Sequence, residues 1–274
     1  MRWLTRILLL ATALSVLLPL GWICLAAFRP GPDVFLDPLG WPRRWTLNNF
    51  VQAFALSGFA RYFWNSLWVT AWSTGLTVLF GASLAFALAR FRLPASSLTQ
   101  AALATGLVIP LQLVVLPLFF LLKQLGLLGS HWGLILVYTA SGIPYAVLLL
   151  RAFFARLPQE LYEAALLDGC TPATAFWTLF LPLARPGLST VALFTALSIY
   201  NEYFLAFILL SGHASEKLRT LPLGLANLTI VSQYRADFGQ LYAGIVIVML
   251  PSIALYAVAH SHLMKGLSDG AVKG

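Results

Sequence analysis

The chain has 274 residues, of which 60% are hydrophobic and only 9% are charged. Ordinary globular domains carry about 25% charged residues, so a water-soluble fold of this length would expose far too much apolar surface. The net charge of +8 does not indicate a nucleic-acid-binding face, because Lys and Arg occur singly or in pairs between apolar runs. The composition predicts a lipid-embedded protein whose basic residues flank its membrane spans.

Six apolar segments are each long enough to cross a bilayer, which takes about 20 helical residues. We therefore expect an all-α, polytopic membrane protein with six transmembrane helices in a single domain over residues 1–274. The spans are predicted at about 7–28, 63–89, 98–122, 131–153, 187–210 and 239–263, followed by a tail over 264–274. Lys and Arg divide almost equally between the two sides of these spans, so charge alone does not fix the orientation.

The first span begins after Arg2 and Arg6, in the manner of a signal peptide. Its apolar run from Ile7 to Phe28 exceeds the roughly 7–15 residues of a cleavable signal, so we expect it to remain as a span. Cys24 and Cys170 are the two cysteines of the sequence, and they imply neither a disulfide framework nor a metal site.

Two polar stretches separate spans, one from Arg29 to Tyr62 and one from Ser211 to Phe238, and both are expected to be surface loops. Prolines fall inside the predicted spans at Pro110, Pro117, Pro144 and Pro251. Proline removes a backbone donor and bends a helix, and membranes tolerate this where neighbours or a water-lined cavity satisfy the freed carbonyls. Several such prolines favour a transporter or channel over a simple anchor.

The loop from 157 to 187 has helical signals of its own. Pro158 suits the start of a first short helix, and Gly169 suits its end. Thr171 is a typical N-cap for a second helix, which Pro182 is expected to end. The result is an amphipathic elbow at the membrane surface that exposes Glu160, Glu163 and Asp168. From these features alone, a loop that merely connects two spans is an equally good interpretation.

The loop also carries a spaced motif: Glu163-Ala164-Ala165, then Gly169 after three residues, then Leu179, Leu181 and Pro182 after nine more. This pattern resembles the EAA loop of the permease subunits of ABC importers, with Leu179 in the place of an isoleucine. Other segments are similar to the carbohydrate-uptake branch of that family. These segments are Leu47–Phe50, Asn65–Leu67, Ile109–Gln112, Leu116–Leu118, Tyr200–Glu202 (with Tyr200 in the place of a tryptophan) and Gly266–Gly274.

The resemblance implies a permease that imports a sugar, a polyol or a sugar phosphate, of the second, shorter type in a maltose or glycerol-phosphate pair. In that family the EAA loop docks on a cytoplasmic ATPase and couples ATP hydrolysis to transport. The coupling residues it implies here are Glu160, Glu163, Ala164, Ala165, Asp168, Gly169, Leu181 and Pro182. It also places the loop and both termini in the cytoplasm of a bacterium, with the protein in the inner membrane.

The expected partners follow from the same resemblance: a second permease as a heterodimer, two copies of the ATPase, a solute-binding protein outside the membrane, and lipid. The sequence has no Walker-type phosphate-binding motif, so ATP is expected on the partner ATPase and no cofactor in this chain. The binding protein is expected to dock on the outer loops.

Glu202 is the acidic residue that falls well inside a predicted span. Acids at such depth usually face a cavity or a partner side chain. Tyr200, Asn201 and Glu202 could therefore bind a polyhydroxyl solute, with Gln112 as a weaker candidate. A hydrogen bond between helices is an equally good interpretation of Glu202.

Two other classes remain as alternatives. An ion-coupled secondary transporter would usually have more spans in repeated halves and several charges at the midplane, neither of which is visible here. An intramembrane enzyme would need a catalytic set at membrane depth. His260 and His262 have no evident carboxylate partner, so we do not expect an enzyme.

Overall fold

The structure, a computed structural model, describes residues 2–56, 58–91, 94, 96–210, 216–235 and 237–271. All regular elements within these ranges are helical, which confirms the predicted all-α class. The α-helices are α1 (Arg2–Ala27), α2 (Gly31–Leu36), α3 (Asn48–Val51), α4 (Phe59–Arg90), α5 (Ser96–Val108), α6 (Leu111–Gln124), α7 (His131–Arg156), α8 (Gln159–Leu167), α9 (Pro172–Ala175), α10 (Leu181–Leu183), α11 (Arg185–Tyr200), α12 (Phe204–Leu210), α13 (Leu221–Arg235) and α14 (Phe238–Ala271). Short π-helical turns occupy Gln52–Leu56 and Phe176–Phe180, and a 3₁₀ turn occupies Glu216–Leu218.

Four helices in the described ranges are long and apolar enough to cross a membrane: Trp3–Ala27, Phe59–Arg90, His131–Arg156 and Phe238–Ala257. Two bent pairs qualify when each pair is taken together. Ser96–Val108 and Leu111–Gln124 meet at 105°, and Pro172–Leu183 and Arg185–Tyr200 meet at 78°. If each bent pair is one span the count is six, although the second pair is shifted from the predicted span 187–210 into the loop before it.

The third predicted span, 98–122, is not one straight helix. α5 ends at Val108 and α6 begins at Leu111, with Pro110 in an extended conformation between them (φ −61°, ψ 130°). Proline disfavours a helical conformation in the residue before it and cannot donate to the preceding turn, which accounts for the break. Pro117, Pro144 and Pro251 lie instead inside the continuous helices α6, α7 and α14.

The fifth predicted span, 187–210, is also interrupted, between Tyr200 and Phe204. The carboxylate of Glu202 accepts hydrogen bonds from the backbone N–H groups of Leu205 (2.7 Å) and Ala206 (3.1 Å). These are donors that the first turn of a helix leaves without an intrahelical partner. The acid inside the apolar run therefore starts a new helix, α12, and does not sit within an existing one.

The chain forms two compact units, and the first comprises Met1–Asn65 with Arg219–Ser252. In this unit the predicted loop Arg29–Tyr62 contains α2 and α3. The amide of Asn49, which is 5% exposed, donates to the carbonyls of Ala27 (2.8 Å) and Arg29 (2.6 Å). Asn49, from the Leu47–Phe50 motif, thus satisfies the last carbonyl of α1 and that of Arg29, two residues after the helix.

The predicted loop 211–238 is largely helical, which corrects the expectation of a surface loop. α13 occupies Leu221–Arg235 and buries Leu221, Leu223 and Leu228. Its 15 residues are too few for a span, so a search for spans assigns the segment to a loop. Residues 211–215 and 236 lie outside the described ranges. The predicted tail is helical as far as Ala271, because α14 continues through it, and residues 272–274 are not described.

The second unit comprises Ser66–Leu218 with Ile253–Gly274. Its core joins α4, α7 and the loop that follows α7. Small residues let α4 and α7 approach closely, since a Cβ on Gly81 would lie 2.6 Å from the Cβ of Ala146. Beyond this contact the core is aromatic, and it forms the base on which the 157–187 segment lies.

Candidate functional site

The 157–187 segment forms an elbow of two helical arms, and the first arm is α8. The helix begins at Gln159 with Pro158 as its N-cap, one residue later than the sequence suggests. Glu160 lies in the first turn, where a carboxylate interacts favourably with the helix dipole. Tyr162 is buried, whereas Glu160 and Glu163 are exposed on the outer side of the arm.

The bend of the elbow is a Schellman-type helix end at Gly169. Gly169 has a φ of +86°, a conformation that glycine adopts without the steric cost of a side chain. Its N–H donates to the carbonyl of Leu166 (3.1 Å), and the N–H of Cys170 donates to the carbonyl of Ala165 (2.9 Å). This pairing needs a glycine four positions after Ala165, which gives the Ala-to-Gly spacing of the motif a physical reason.

The second arm runs from Pro172 to Leu183. Its N-cap is Thr171, as predicted, because the Thr171 hydroxyl accepts a hydrogen bond from the N–H of Thr174 (3.1 Å). Pro182 does not end the arm, which corrects the sequence-based prediction. A π-helical turn, Phe176–Phe180, lies just before Pro182, and the arm continues for one residue beyond the proline, to Leu183.

Both arms pack on the aromatic base of the second unit. The ring of Phe86 on α4 has its centroid 5.1 Å from those of Phe176 and Phe180, and 6.0 Å from that of Tyr162. Phe154, at the end of α7, is fully buried beside them at 5.8 Å from Phe86. These contacts fix the two arms against α4 and α7, and leave the opposite side of the elbow exposed.

The structure brings the predicted coupling residues together on this elbow. Exposed members of the set are Glu160, Glu163, Ala164, Asp168 and Gly169, and half-buried members are Ala165, Leu181 and Pro182. The exposed set combines carboxylates with the small residues Ala164 and Gly169, and such a surface permits close approach by another protein. Its position on a packed base suits the transmission of a displacement, because packed cores transmit strain with little compression.

The predicted solute-pathway residues are only partly brought together. Tyr200 is buried at the end of α11, whereas Asn201 is exposed and its amide donates to the carbonyl of Leu197 (2.8 Å). Glu202 is half-buried, and it accepts a hydrogen bond from the hydroxyl of Tyr138 (2.5 Å) in addition to its two backbone bonds. Gln112 lies on another element, exposed in the first turn of α6.

Reasoning from the sequence missed Tyr138 and Arg90. Tyr138 is 64 residues from Glu202, and Arg90 bonds to the carbonyls of Phe154 and Leu157 across 64 and 67 residues. No local pattern marks such pairs. The one available signal was that Arg90 ends a long apolar run directly before a predicted loop.

Two permeases of known systems are similar to the chain over nearly its whole length. A diacetylchitobiose uptake system permease protein of Streptomyces coelicolor is 33% identical, and the match covers 97% of this chain and 87% of that protein. A trehalose transport system permease protein of Mycobacterium tuberculosis is 34% identical, with 94% of this chain and 93% of that protein covered.

A solved structure shares the fold. It is the crystal structure of a bacterial ABC transporter involved in the import of the acidic polysaccharide alginate, one chain of which superposes with a TM-score of 0.77 at 23% identity over 94% of each chain. Residues 77–268 match a family described as binding-protein-dependent transport system inner membrane component. The elbow, the spans and these similarities agree: the chain belongs to the family of inner-membrane components of binding-protein-dependent transport systems.

Proposed function

We propose that this permease carries a sugar, or a related polyol or sugar phosphate, from an extracytoplasmic binding protein into the cytoplasm, driven by ATP. The observation that carries the proposal is the elbow, whose two capped arms present Glu160, Glu163 and Ala164 on a packed aromatic base. The solute class rests on the relatives, whose systems are described for diacetylchitobiose and trehalose. Under this proposal the chain moves solute and catalyses no reaction of its own.

The elbow is proposed as the docking element for a cytoplasmic ATPase, two copies of which serve the two permeases of one transporter. The ATP is bound by those subunits, which agrees with the lack of a Walker-type motif in this sequence. This assignment puts the elbow and both termini in the cytoplasm of a bacterium, with the protein in its inner membrane.

A second permease is proposed as the partner within the membrane. Support comes from α1, since no residue in the 18-residue apolar window of Trp3–Ala27 is buried in this chain. The hydroxyls of Thr12 and Ser15 bond to carbonyls of their own helix, so this surface is apolar and can pack on another protein. Cys24, exposed on the same helix, is a native site for cross-linking to the companion subunit.

For the solute pathway we retain Gln112, Tyr200, Asn201 and Glu202 as the proposed set, with different roles. The carboxylate of Glu202 is occupied by Tyr138 and by the start of α12, so it supports the break between α11 and α12. Asn201 and Gln112 are the exposed members, and they are the side chains proposed to contact hydroxyl groups of the solute.

These roles predict different effects of substitution. Glu202→Ala removes the acceptor of three hydrogen bonds, of which each contributes about 0.5–1.5 kcal/mol, so it is expected to lower the melting temperature of the purified transporter. Asn201→Ala removes a bond at an exposed position, so it is expected to weaken solute uptake at low concentration while lowering the melting temperature less than Glu202→Ala does. The opposite pattern, with Asn201→Ala destabilising and Glu202→Ala changing solute choice alone, would reverse the two roles.

The proposal is tested by reconstituting the permease pair with its ATPase and binding protein in vesicles. Uptake of radiolabelled trehalose and diacetylchitobiose is measured with internal ATP, then with an ionophore that collapses ion gradients. We expect uptake of at least one sugar that needs ATP and the binding protein and survives the ionophore. Uptake by the permease alone, abolished by the ionophore, would establish the alternative of an ion-coupled secondary transporter.

A further inference from the structure

The last residue of α4, Arg90, contacts both the end of α7 and the start of the elbow. One terminal nitrogen of its guanidinium, Nη2, donates to the carbonyls of Phe154 (2.8 Å) and Leu157 (2.9 Å). The other, Nη1, donates to the side-chain oxygen of Gln159 (2.9 Å), the first residue of α8. One side chain on a transmembrane helix thus holds the junction from which the elbow starts.

The same guanidinium also contacts the second arm of the elbow. Its central carbon lies 4.7 Å from the ring centroid of Phe180, which is fully buried. A planar cation over an aromatic ring gains electrostatic attraction as well as packing. Arg90 therefore connects three elements that are remote in sequence: the end of α7, the first arm and the second arm.

A simpler role would be to cap the C-terminus of α7, whose last carbonyls need donors. A lysine or a water molecule could serve that purpose, because capping requires donors and positive charge alone. The contacts of Arg90 require more than donors and charge. They require a planar guanidinium whose two terminal nitrogens donate in different directions while its face lies on an aromatic ring. That geometry fixes the orientation of both arms relative to α4.

We propose that Arg90 is the positioning residue that holds the elbow rigidly to the end of α4, so that a displacement of the elbow by its partner moves this transmembrane helix. The inference rests on the proposed function of the elbow. It gives the coupling a defined route into the membrane: through Arg90 and Phe180 into α4, a helix of 32 residues.

The test is a distance measurement in the complete transporter. A Cys24→Ser background leaves Cys170 in the elbow as the native thiol, and Ser83→Cys adds a second on the exposed side of α4. Spin labels at these two sites report the distance between elbow and helix, without nucleotide and with MgATP plus vanadate. We expect one narrow distance distribution in both states, because the two elements move together.

Three substitutions then decide the role of Arg90. Arg90→Ala and Arg90→Lys are expected to broaden the distribution at least about two-fold, since lysine keeps the charge but neither the fork nor the stacking. Gln159→Ala removes one contact and is expected to broaden it less. Arg156→Ala is the matched control, because Arg156 is exposed at the end of α7, and it should leave the distribution narrow.

A narrow distribution in Arg90→Lys would reduce Arg90 to a cap and overturn the inference. A distance in the unmodified protein that changes with nucleotide would also overturn it, since elbow and helix would then move separately. If the Arg90→Ala transporter does not assemble, the widths of the distance distributions in Arg90→Lys and Gln159→Ala decide whether Arg90 positions the elbow. Cross-linking of Cys170 to the ATPase is measured separately, in unlabelled protein with Cys24→Ser and the native Ser83. The absence of this cross-link contradicts the proposed function of the elbow, while the distribution widths still decide the Arg90 link.

Discussion

Two helices of the chain, α6 and α8, end in the same backbone turn, one before α7 in the sequence and one after it. Before α7, in the α6–α7 turn (Leu125–Ser130), Gly126 has a φ of +69° and Leu127 donates to the carbonyl of Leu122 (2.9 Å). At the end of α8, in the elbow, Gly169 and Cys170 make the equivalent bonds. Each turn then leads to a hydroxyl N-cap, Ser130 in one and Thr171 in the other.

The difference between the two regions lies in what they expose and what they rest on. The helix before the elbow turn exposes Glu160 and Glu163 and buries Tyr162 in the aromatic base. The helix before the α6–α7 turn is the apolar α6, whose last turn exposes the basic Lys123. Both regions share the turn geometry, so the proposed coupling role of the elbow rests on its exposed carboxylates and its packed base. The α6–α7 turn also supplies matched controls.

The largest effect is expected from charge reversal. Glu163→Lys is expected to lower uptake below detection, because a like or unpaired charge in a protein interface costs several kcal/mol. Lys123→Glu makes the opposite reversal in the last turn of α6 and is expected to keep uptake near normal. Both variants are compared by uptake at equal amounts of membrane-inserted protein. Equal losses in the two variants would remove the distinction between the regions.

A smaller effect is expected from the two turn glycines. In each of Gly169→Ala and Gly126→Ala, a left-handed conformation of a non-glycine residue costs about 1–2 kcal/mol, while the new Cβ meets nothing within 4 Å. The melting temperatures should therefore fall alike. Uptake should fall about ten-fold in Gly169→Ala alone, with partial recovery in Gly169→Asn, because asparagine tolerates this conformation. Equal losses of uptake in Gly169→Ala and Gly126→Ala would mean that both substitutions act only by lowering the stability of the protein.

The smallest effect is expected from the two caps. Replacing a Ser or Thr N-cap by Ala costs about 1 kcal/mol. Thr171→Ala is expected to reduce uptake a few-fold, and Thr171→Ser to restore it, because serine supplies the same acceptor to the N–H of Thr174. Ser130→Ala should lower only the melting temperature. Normal uptake by Thr171→Ala would show that coupling does not depend on the order of the second arm.

Sequence patterns predicted the parts of the elbow that depend on neighbouring residues. The bend at Gly169 and the cap at Thr171 each follow from the chemistry of a few consecutive residues, so both are visible in the sequence. Hydropathy likewise gives the apolar spans and the helical class, because about 20 apolar residues have few alternatives to a membrane helix.

What the sequence did not predict depends on remote partners or on competition between local signals. The hydrogen-bond acceptors of Arg90 lie more than 60 residues away in the sequence, and no residue near Arg90 indicates them. Glu202 was assigned to a continuous span because the hydropathy of its neighbours dominates a window average, although an acid three residues before Leu205 can accept from the first turn of a helix. α13 was missed because it is too short for a span and too apolar for a typical loop.

The most direct test of the account is the partner and the membrane side of Cys170, which lies in the elbow bend. In a Cys24→Ser variant, a thiol-reactive photo-cross-linker attached to Cys170 is expected to give an adduct with the ATPase. A membrane-impermeant maleimide should label Cys170 in inside-out vesicles and not in intact cells whose outer surface alone is accessible. Labelling from outside, or the lack of any ATPase adduct in transporting membranes, would contradict the assignment of the elbow as the coupling element.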